Sequence, residues 1–420
     1  MKVMVVGGGG REHALVWACA RSDSVEQIFC APGNAGTAEL ATNLDISATD
    51  ALRIAQVASS ENIDLVIVGP DAALAAGVAD RCREQGIAVF GPSAAAARIE
   101  SSKEFAKRAM DDLSIPTAAW VSGTAEDLAA LIGFAEQRGG NCVVKADGLA
   151  LGKGVIVCEN LDQARAALDE CFTERRFGEA GVRAIVEERL SGPEVSAFAI
   201  CDGTTGHLLP LATDYKRAYD GDAGPNTGGM GAYSPPHGVD LDALSNEVQN
   251  TIVGPTLGWL KEKGTPFIGC LYVGLMLTPD GIRVLEYNAR FGDPETQALM
   301  PLMTTEFVWV LNQAANGNLA GAIPRANRAA VTVVLAQSGY PDAVQTGGPV
   351  LLPKSLPKDV VVFHAGTARR GEGLVVTGGR VFGVTGTGDD VEQARAAAYA
   401  AVEMFELGGL RFRADIAAVG

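Results

Sequence analysis

The chain opens on an apolar run, KVMVVG at 2–7, that leads into a string of glycines. A short apolar run closed by glycine reads as a buried strand, and the stretch from about Glu12 onward reads as a helix. The pattern recurs in IDLVIVGP (63–70) and GIAVFGP (86–92), each an apolar strand stopped by a turn. Strands alternating with helical stretches predict a parallel, doubly wound sheet over the first hundred residues. Such sheets bind ligands at the carboxyl ends of their strands.

The pattern then changes. SSKEFAKRAM (101–110) predicts an amphipathic helix that closes before Pro116. A smaller α/β unit follows over 121–190: a helix near 124–138, the strand CVVKA (142–146), a glycine-rich turn, the strand VIVC (155–158), a helix near 161–172 and a strand at 183–188. The segment up to about 325 carries a strand at 194–200, a polar glycine-rich loop at 213–235, a helix near 240–262 and strands at 274–278 and 282–288. The last ninety residues read as strands and glycine turns, then a helix near 390–406. There is no internal repeat and no low-complexity segment.

Composition narrows the function classes. The net charge of −16 argues against sequence-independent nucleic-acid binding, which rests on phosphate neutralisation. It leaves small anionic ligands open, since these need only a local basic pocket. No apolar run reaches the ~18 residues of a membrane span, and no signal peptide fits the first residues. The eight cysteines are scattered without a CxxC pair, which predicts reduced, mostly buried thiols in a cytoplasmic protein. The four histidines do not cluster, so no zinc site is expected.

VVKADGLALGKGV (143–155) is the first stretch with chemistry in it. A strand delivers Lys145, and Gly148, Gly152 and Gly154 follow. Glycines let backbone N–H groups approach phosphate oxygens, and Lys145 and Lys153 supply positive charge. It is not a Walker loop, because only three residues separate Gly148 from Gly152 and no Lys-Ser/Thr follows. The plain alternative is a hairpin with two solvated lysines.

RVLEYNARFGDPE (283–295) is more specific. Residues two apart on a strand share a face, so Glu286 and Asn288 project together and Tyr287 projects opposite. One carboxylate and one amide oxygen suit Mg²⁺, a hard cation that completes its shell with substrate phosphates and water. Arg290, two residues further, can grip a phosphoryl group bidentately. The turn FGDP exposes Asp293 and Glu295. The alternative is a solvated carboxylate on an edge strand.

KADGLALGKGV, then VEERLSGPEVS (186–196), then LEYNARFGDPE, in that order, resemble the ATP-grasp superfamily. VVGGGGREHAL (5–15), APGNAGT (31–37) and GPNTGGMGAYSP (224–235) narrow the resemblance to the glycinamide ribonucleotide synthetases, over essentially the whole chain. The resemblance implies an α/β and α+β multidomain fold: a doubly wound substrate-binding domain at 1–100, an ATP-grasp unit at 101–325 with a lid inserted at 121–190, and a C-terminal α+β domain at 326–420. It implies that ATP joins glycine to 5-phosphoribosylamine through a glycyl phosphate, with Mg²⁺ or Mn²⁺, in purine synthesis. By the same resemblance Lys103 and Lys145 contact the nucleotide phosphates, with Gly152 and Lys153 in the glycine loop. Glu187, Glu188 and Leu190 border the adenine, Glu194 holds the ribose, Glu286 and Asn288 hold the metal, and Arg290 lies near the transferred phosphoryl group. The chain departs from the family pattern at Asp71, Leu151 and Tyr215.

The amine substrate needs its own site. GGGGREH (7–13) places a glycine turn at a helix N-terminus, where N–H groups and the dipole favour a phosphate. It fails the dinucleotide fingerprint, because Glu12 and His13 stand where glycine is required. Gly9, Gly10 and Arg11 are therefore expected to touch phosphate or ribose, the alternative being a purely structural turn. Asn34 and Asp71 end adjacent strand units and are candidates for ribose hydroxyls. The long polar loop at 213–231 is more in keeping with function than with a bare connection. Its Asp214 and Lys216, and Asn226, Thr227, Gly228, Gly229 and Met230, are candidates for the glycine and amine, together with Asp293.

Three rivals stand beside this reading: another ATP-grasp ligase or purine-pathway carboxylase, a nucleotide-binding scaffold with a dead site, and a nicotinamide oxidoreductase. The intact Lys145, Glu286, Asn288 and Arg290 count against the second, and the failed fingerprint against the third. The expected partners are small molecules only, with no nucleic acid and no membrane, and the acidic, polar surface allows a monomer.

Overall fold

The computed structural model of the chain describes residues 1–150 and 154–418. Gly152 and Lys153, expected in the nucleotide loop, lie outside the described residues, as does Leu151. The chain divides into two compact units. The first comprises Met1–Ala96, Ser196–Tyr272 and Ala289–Gly420; the second comprises Ala97–Val195 and Val273–Asn288.

The first unit begins with a five-stranded sheet. Its strands are β1 (Lys2–Gly7), β2 (Gln27–Pro32), β3 (Thr42–Asn43), β4 (Leu65–Val68) and β5 (Ala88–Phe90), in the order β3-β2-β1-β4-β5. All neighbours are parallel, as the alternating pattern predicts. Val3, Met4, Val5 and Val6 are fully buried, which accounts for an apolar run with no alternation. The helix α1 (Gly10–Ala20) starts two residues before Glu12, because Glu12 folds back to cap it.

The same unit holds a six-stranded sheet built mainly from the last third of the chain. Its long strands Ala329–Gln337 and Arg380–Gly388 pair antiparallel from Ala329↔Gly388 onward, and Val360–His364 pairs with the second of them. The helix Val391–Val402 covers this sheet through Ala394, Ala398 and Ala401. The polar loop at 213–235 is more ordered than the sequence predicts. It carries four short strands: Thr213–Asp214, Arg217–Tyr219, Ala223–Asn226 and Gly231–Ser234. The last of these pairs with residues about a hundred positions on (Ala232↔Thr332), a partner that no local pattern reveals. The expected helix near 240–262 is also modified. It runs as Leu241–Val248 and Gly254–Glu262 around a wide π-helical turn, Gln249–Val253. Pro255, without an N–H, accounts for the break in the bonding ladder.

The second unit is built around a four-stranded antiparallel sheet, ordered Trp120–Gly123, Ala184–Glu188, Cys142–Ala146, Val155–Cys158. Helices Leu128–Glu136 and Leu161–Phe172 cover it, burying Leu131, Ala135, Val144, Ala164, Leu168 and Val186. The helix Lys103–Asp112 and the strand Gly281–Asn288 complete the unit. Thr117 ties in that strand by donating to the Val284 carbonyl at 2.6 Å, and the Val284 N–H donates to the Pro116 carbonyl.

All eight cysteines are free and buried, as their scatter predicts. Among the described residues, no helix is long and apolar enough to cross a membrane.

Candidate active site

The strand Cys142–Ala146 carries Lys145 and the strand Ala184–Glu188 carries Glu187; Lys107 comes from the helix Lys103–Asp112. Lys145 Nζ stands 2.5 Å from Glu187 Oε1, and Lys107 Nζ 2.7 Å from Glu187 Oε2. All three side chains are buried. Burial alone would raise the Glu187 carboxyl, but the two ammonium groups hold it below its usual pKa. Burial pushes Lys107 down, against the pull of Glu187. Lys145 also donates to the Leu285 carbonyl at 3.3 Å, and Lys107 to Thr117 Oγ1 at 2.7 Å. Two buried lysines thus converge on one buried carboxylate.

Lys103 adds to it. Its Nζ donates to the Gly148 carbonyl at 3.2 Å. Burial lowers its pKa, Glu286 raises it and Lys145 lowers it again, so Lys103, Lys145 and Glu286 share one electrostatic environment. Asp147 holds the arrangement: it accepts from the Glu104 N–H at 2.7 Å and from Ser102 Oγ, which itself caps the helix Lys103–Asp112. Gly148 cannot carry a side chain, because a Cβ there would press on Ala180.

Glu286 is half-buried on the strand Gly281–Asn288, Asn288 is buried at its end, and Tyr287 is buried between them. Among the described residues, no group of three or more acidic, histidine or cysteine side chains could hold a metal ion. Glu286 and Asn288 offer one carboxylate and one amide oxygen. Both are hard ligands and fit Mg²⁺, which keeps water and takes substrate phosphates for its remaining positions. Glu188 is exposed where the strand Ala184–Glu188 ends, its backbone N–H on the Ala119 carbonyl. Leu190 follows it half-buried, and Glu194, also half-buried, opens the strand Glu194–Asp202. Arg290 stands in the first unit, with Nη1 3.2 Å from the Phe291 carbonyl.

The glycine turn of the first unit is closed by the protein's own side chains. Glu12 Oε2 accepts from the Gly9 N–H at 2.6 Å, and its Oε1 pairs with Arg11 Nε at 2.5 Å. Asp293 approaches the same turn and accepts from the Arg11 backbone N–H. The N-terminus of α1 is thus filled by two of the protein's own carboxylates, offset by the side chains of Arg11 and Arg380. A phosphate there would meet like charge. Hydroxyl or amino donors would not, which favours the ribose side of the expectation over the phosphate side. The glycines serve close approach: a Cβ on Gly9 would strike Glu12, and one on Gly10 would strike Gln297. Gln297, which the motif reading passes over, is buried with its Nε2 on Asp293 Oδ1 at 2.7 Å and its Oε1 unpartnered.

Two candidates turn their side chains toward the protein itself. The Asn34 side chain donates to the Gly8 and His364 carbonyls and accepts from the Gly36 and Thr37 N–H groups, so its amide is spent on holding the loop. The Met230 side chain is fully buried with Val334 and Ala336 and is a core residue. Asp71 is half-buried at the first turn of a short helix, accepting from the Ala72 N–H. Lys216 Nζ lies 3.9 Å from Asp214 Oδ1, and the Lys216 carbonyl accepts from both the N–H and the Oγ1 of Thr227. Asn226 Oδ1 accepts from Arg217. The polar loop thus brings Asp214, Lys216 and Thr227 together.

Buried Lys107 and Lys145 on Glu187, in one unit with the Glu286-x-Asn288 strand and a four-stranded antiparallel sheet, are the arrangement expected of an ATP-grasp ligase. Three family models divide the chain: the phosphoribosylglycinamide synthetase N domain matches residues 1–100, its ATP-grasp (A) domain 101–296 and its C domain 330–419. The chain belongs to the phosphoribosylglycinamide synthetase family. It is 46% identical to the phosphoribosylamine–glycine ligase of Caulobacter vibrioides, covering 99% of this chain and 97% of that protein. The enzyme of the same name from Streptomyces coelicolor is 47% identical, covering 100% and 99%. The crystal structure of phosphoribosylamine–glycine ligase from Thermotoga maritima superposes with a TM-score of 0.86 at 33% identity, over 99% of this chain and 100% of that one. The biotin carboxylase domain of Hydrogenobacter thermophilus 2-oxoglutarate carboxylase, solved with MgADP, ADP and bicarbonate, shares the fold at 17% identity, with a TM-score of 0.74 over 98% and 91%.

Proposed function

We propose that this chain ligates glycine to 5-phosphoribosylamine, converting ATP to ADP and phosphate and releasing glycinamide ribonucleotide for purine synthesis. Lys107 and Lys145 paired on a buried Glu187, with Lys103 and Glu286 in the same field, carry the reading. Such a cluster suits the polyanionic phosphates of a nucleotide. The relatives named above supply the substrates.

The chemistry fits those residues. A glycine carboxylate is a poor electrophile, and transfer of the γ-phosphoryl group makes it a mixed anhydride. The amine of phosphoribosylamine then attacks the carbonyl carbon, and phosphate departs. Phosphoryl transfer asks mainly for positioning and charge neutralisation. In this reading Lys103 and Lys145 hold the nucleotide phosphates, and Glu286 and Asn288 hold Mg²⁺, or Mn²⁺ in its place. The bound metal supplies charge neutralisation on the phosphate oxygens. Glu187, Glu188 and Leu190 line the adenine and Glu194 the ribose. Arg290 meets the transferred phosphoryl group, while Asp214 and Lys216 serve the glycine and amine. Gly9, Gly10, Arg11, Asp71 and Asp293 serve the ribosyl amine, with the backbone of Asn226, Thr227, Gly228 and Gly229. The protein works as a cytoplasmic monomer with small-molecule partners alone.

An ADP-release assay with glycine and freshly made phosphoribosylamine, each omitted in turn, tests the reading. ADP release that requires both supports it; release supported by bicarbonate or by another acid in place of glycine overturns it.

A further inference from the structure

The polar loop at 213–235 pairs within itself, Thr213–Asp214 on Gly231–Ser234 and Arg217–Tyr219 on Ala223–Asn226, and residues from the last third of the chain brace it further. Its first half is fixed by Arg413, which donates to the Arg217 carbonyl and pairs with Asp222, and by Asp415, which accepts from the Gly221 N–H. Arg411 adds a bond to the Ala218 carbonyl. Its second half, the turn around Gly228 and Gly229, is fixed by Arg380 and Tyr340.

Arg380 makes the more informative set. Its Nη1 donates to the carbonyls of Gly228 at 2.5 Å, Gly229 at 3.4 Å and Asp293 at 2.9 Å. Its Nη2 lies 3.2 Å from Asp293 Oδ2. Tyr340 Oη accepts from the Gly228 N–H at 2.8 Å. Gly229 has φ of +110°, and a Cβ there would strike Pro294. So the guanidinium sits where the 227–229 turn rests on the 293–294 turn, and protein acceptors take both of its terminal nitrogens.

We infer that Arg380 is a positioning residue for the amine-substrate site, locking the 227–229 turn to Asp293 so that both present a fixed surface to the ribosyl amine. This rests on the functional reading above and gives the C-terminal residues a role in it. A lysine keeps the charge but cannot span three carbonyls and a carboxylate, since only the planar fork of arginine matches that geometry.

The test measures KM and kcat for each substrate in Arg380→Gln, Arg380→Lys and Tyr340→Phe, with hydrogen exchange at amides 227–230. We expect Arg380→Gln to raise the KM for phosphoribosylamine about 10–100-fold while the KM for ATP stays within about twofold. Arg380→Lys should recover part of the loss, and exchange at amides 227–230 should quicken in Arg380→Gln. An unchanged KM for phosphoribosylamine in a folded Arg380→Gln protein overturns the inference, as does an equal rise for all three substrates. If Arg380→Gln does not fold, Arg380→Lys and Tyr340→Phe decide: both must raise that KM, and a rise in only one or in neither overturns it. If the wild-type protein does not use phosphoribosylamine, the functional reading fails. Hydrogen exchange then still tests the brace, and unchanged exchange in Arg380→Gln refutes it.

Discussion

The two charged regions of the molecule handle buried charge in opposite ways. In the second unit, Lys145 and Lys107 share one buried carboxylate, Glu187. At the start of α1 in the first unit, Arg11 and Arg380 are matched by Glu12 and Asp293. The first sets two ammonium groups on one carboxylate; the second sets each guanidinium against a carboxylate of its own. A glycine turn at a helix N-terminus therefore does not by itself announce a phosphate site; what matters is whether the protein's own carboxylates already occupy it.

The largest expected effect separates these designs. Glu187→Ala strands two buried ammonium groups and should cost about 3–5 kcal/mol of stability, read from urea unfolding. In the α1 region each arginine keeps a second set of acceptors, so Glu12→Gln should cost less. If the two substitutions destabilise equally, the contrast between an unbalanced and a balanced site is wrong.

Glu286→Ala addresses function and not folding. It should lower metal-dependent kcat by about 10²–10³-fold with Tm nearly unchanged, in keeping with the loss of one preorganised electrostatic contact. Near-normal turnover in this variant would mean that the metal is held elsewhere.

A pH prediction concerns the border of the balanced region. His13 is lowered to about 3 by burial and by His364, and His364 to about 4 by burial and by Arg369. Both depressed pKa values mean that the folded state holds neutral rings, while the unfolded chain takes up protons below its ordinary value of 6.5. Their contribution is therefore complete above pH 6.5 and is lost as pH falls toward 4 and 3. Each histidine adds a slope of roughly 1.4 kcal/mol per pH unit within that window. His364→Gln should flatten the fall in stability between pH 6 and 4; an unchanged slope would place the acid sensitivity in other groups.

The smallest effect is a control outside both regions. Arg81 and Glu84 pair at 2.8 Å with both side chains 57% exposed. Arg81→Ala should change stability by less than about 0.5 kcal/mol.

What the sequence made legible follows the range of the interactions. The strands Cys142–Ala146 and Val155–Cys158 and the helix Leu161–Phe172 fall at the residues expected, because local periodicity and turn glycines determine them. Lys145, Glu187 and Glu286 were visible because their motifs are contiguous. Lys107 was not marked, because its partner Glu187 lies eighty positions away on another element. Arg380 reaches Gly228 over 152 residues and Arg413 reaches Asp222 over 191, and nothing local to either arginine signals the contact. The strand Gly231–Ser234 has no local signal for the same reason, since its partner is the distant Ala329–Gln337, whereas Arg217–Tyr219 and Ala223–Asn226 pair with each other inside the loop. Asn34 and Met230, whose side chains are engaged by the protein itself, show what a motif leaves open. A motif identifies a segment, but which side chains face the protein itself is decided by packing.

The central claim is that ATP activates a glycine carboxylate as an acyl phosphate. Glycine labelled with oxygen-18 in its carboxylate, turned over with ATP and phosphoribosylamine, tests it most directly by mass analysis of the released phosphate. The account predicts one labelled oxygen in each phosphate formed. Unlabelled phosphate, released together with glycinamide ribonucleotide, would contradict it.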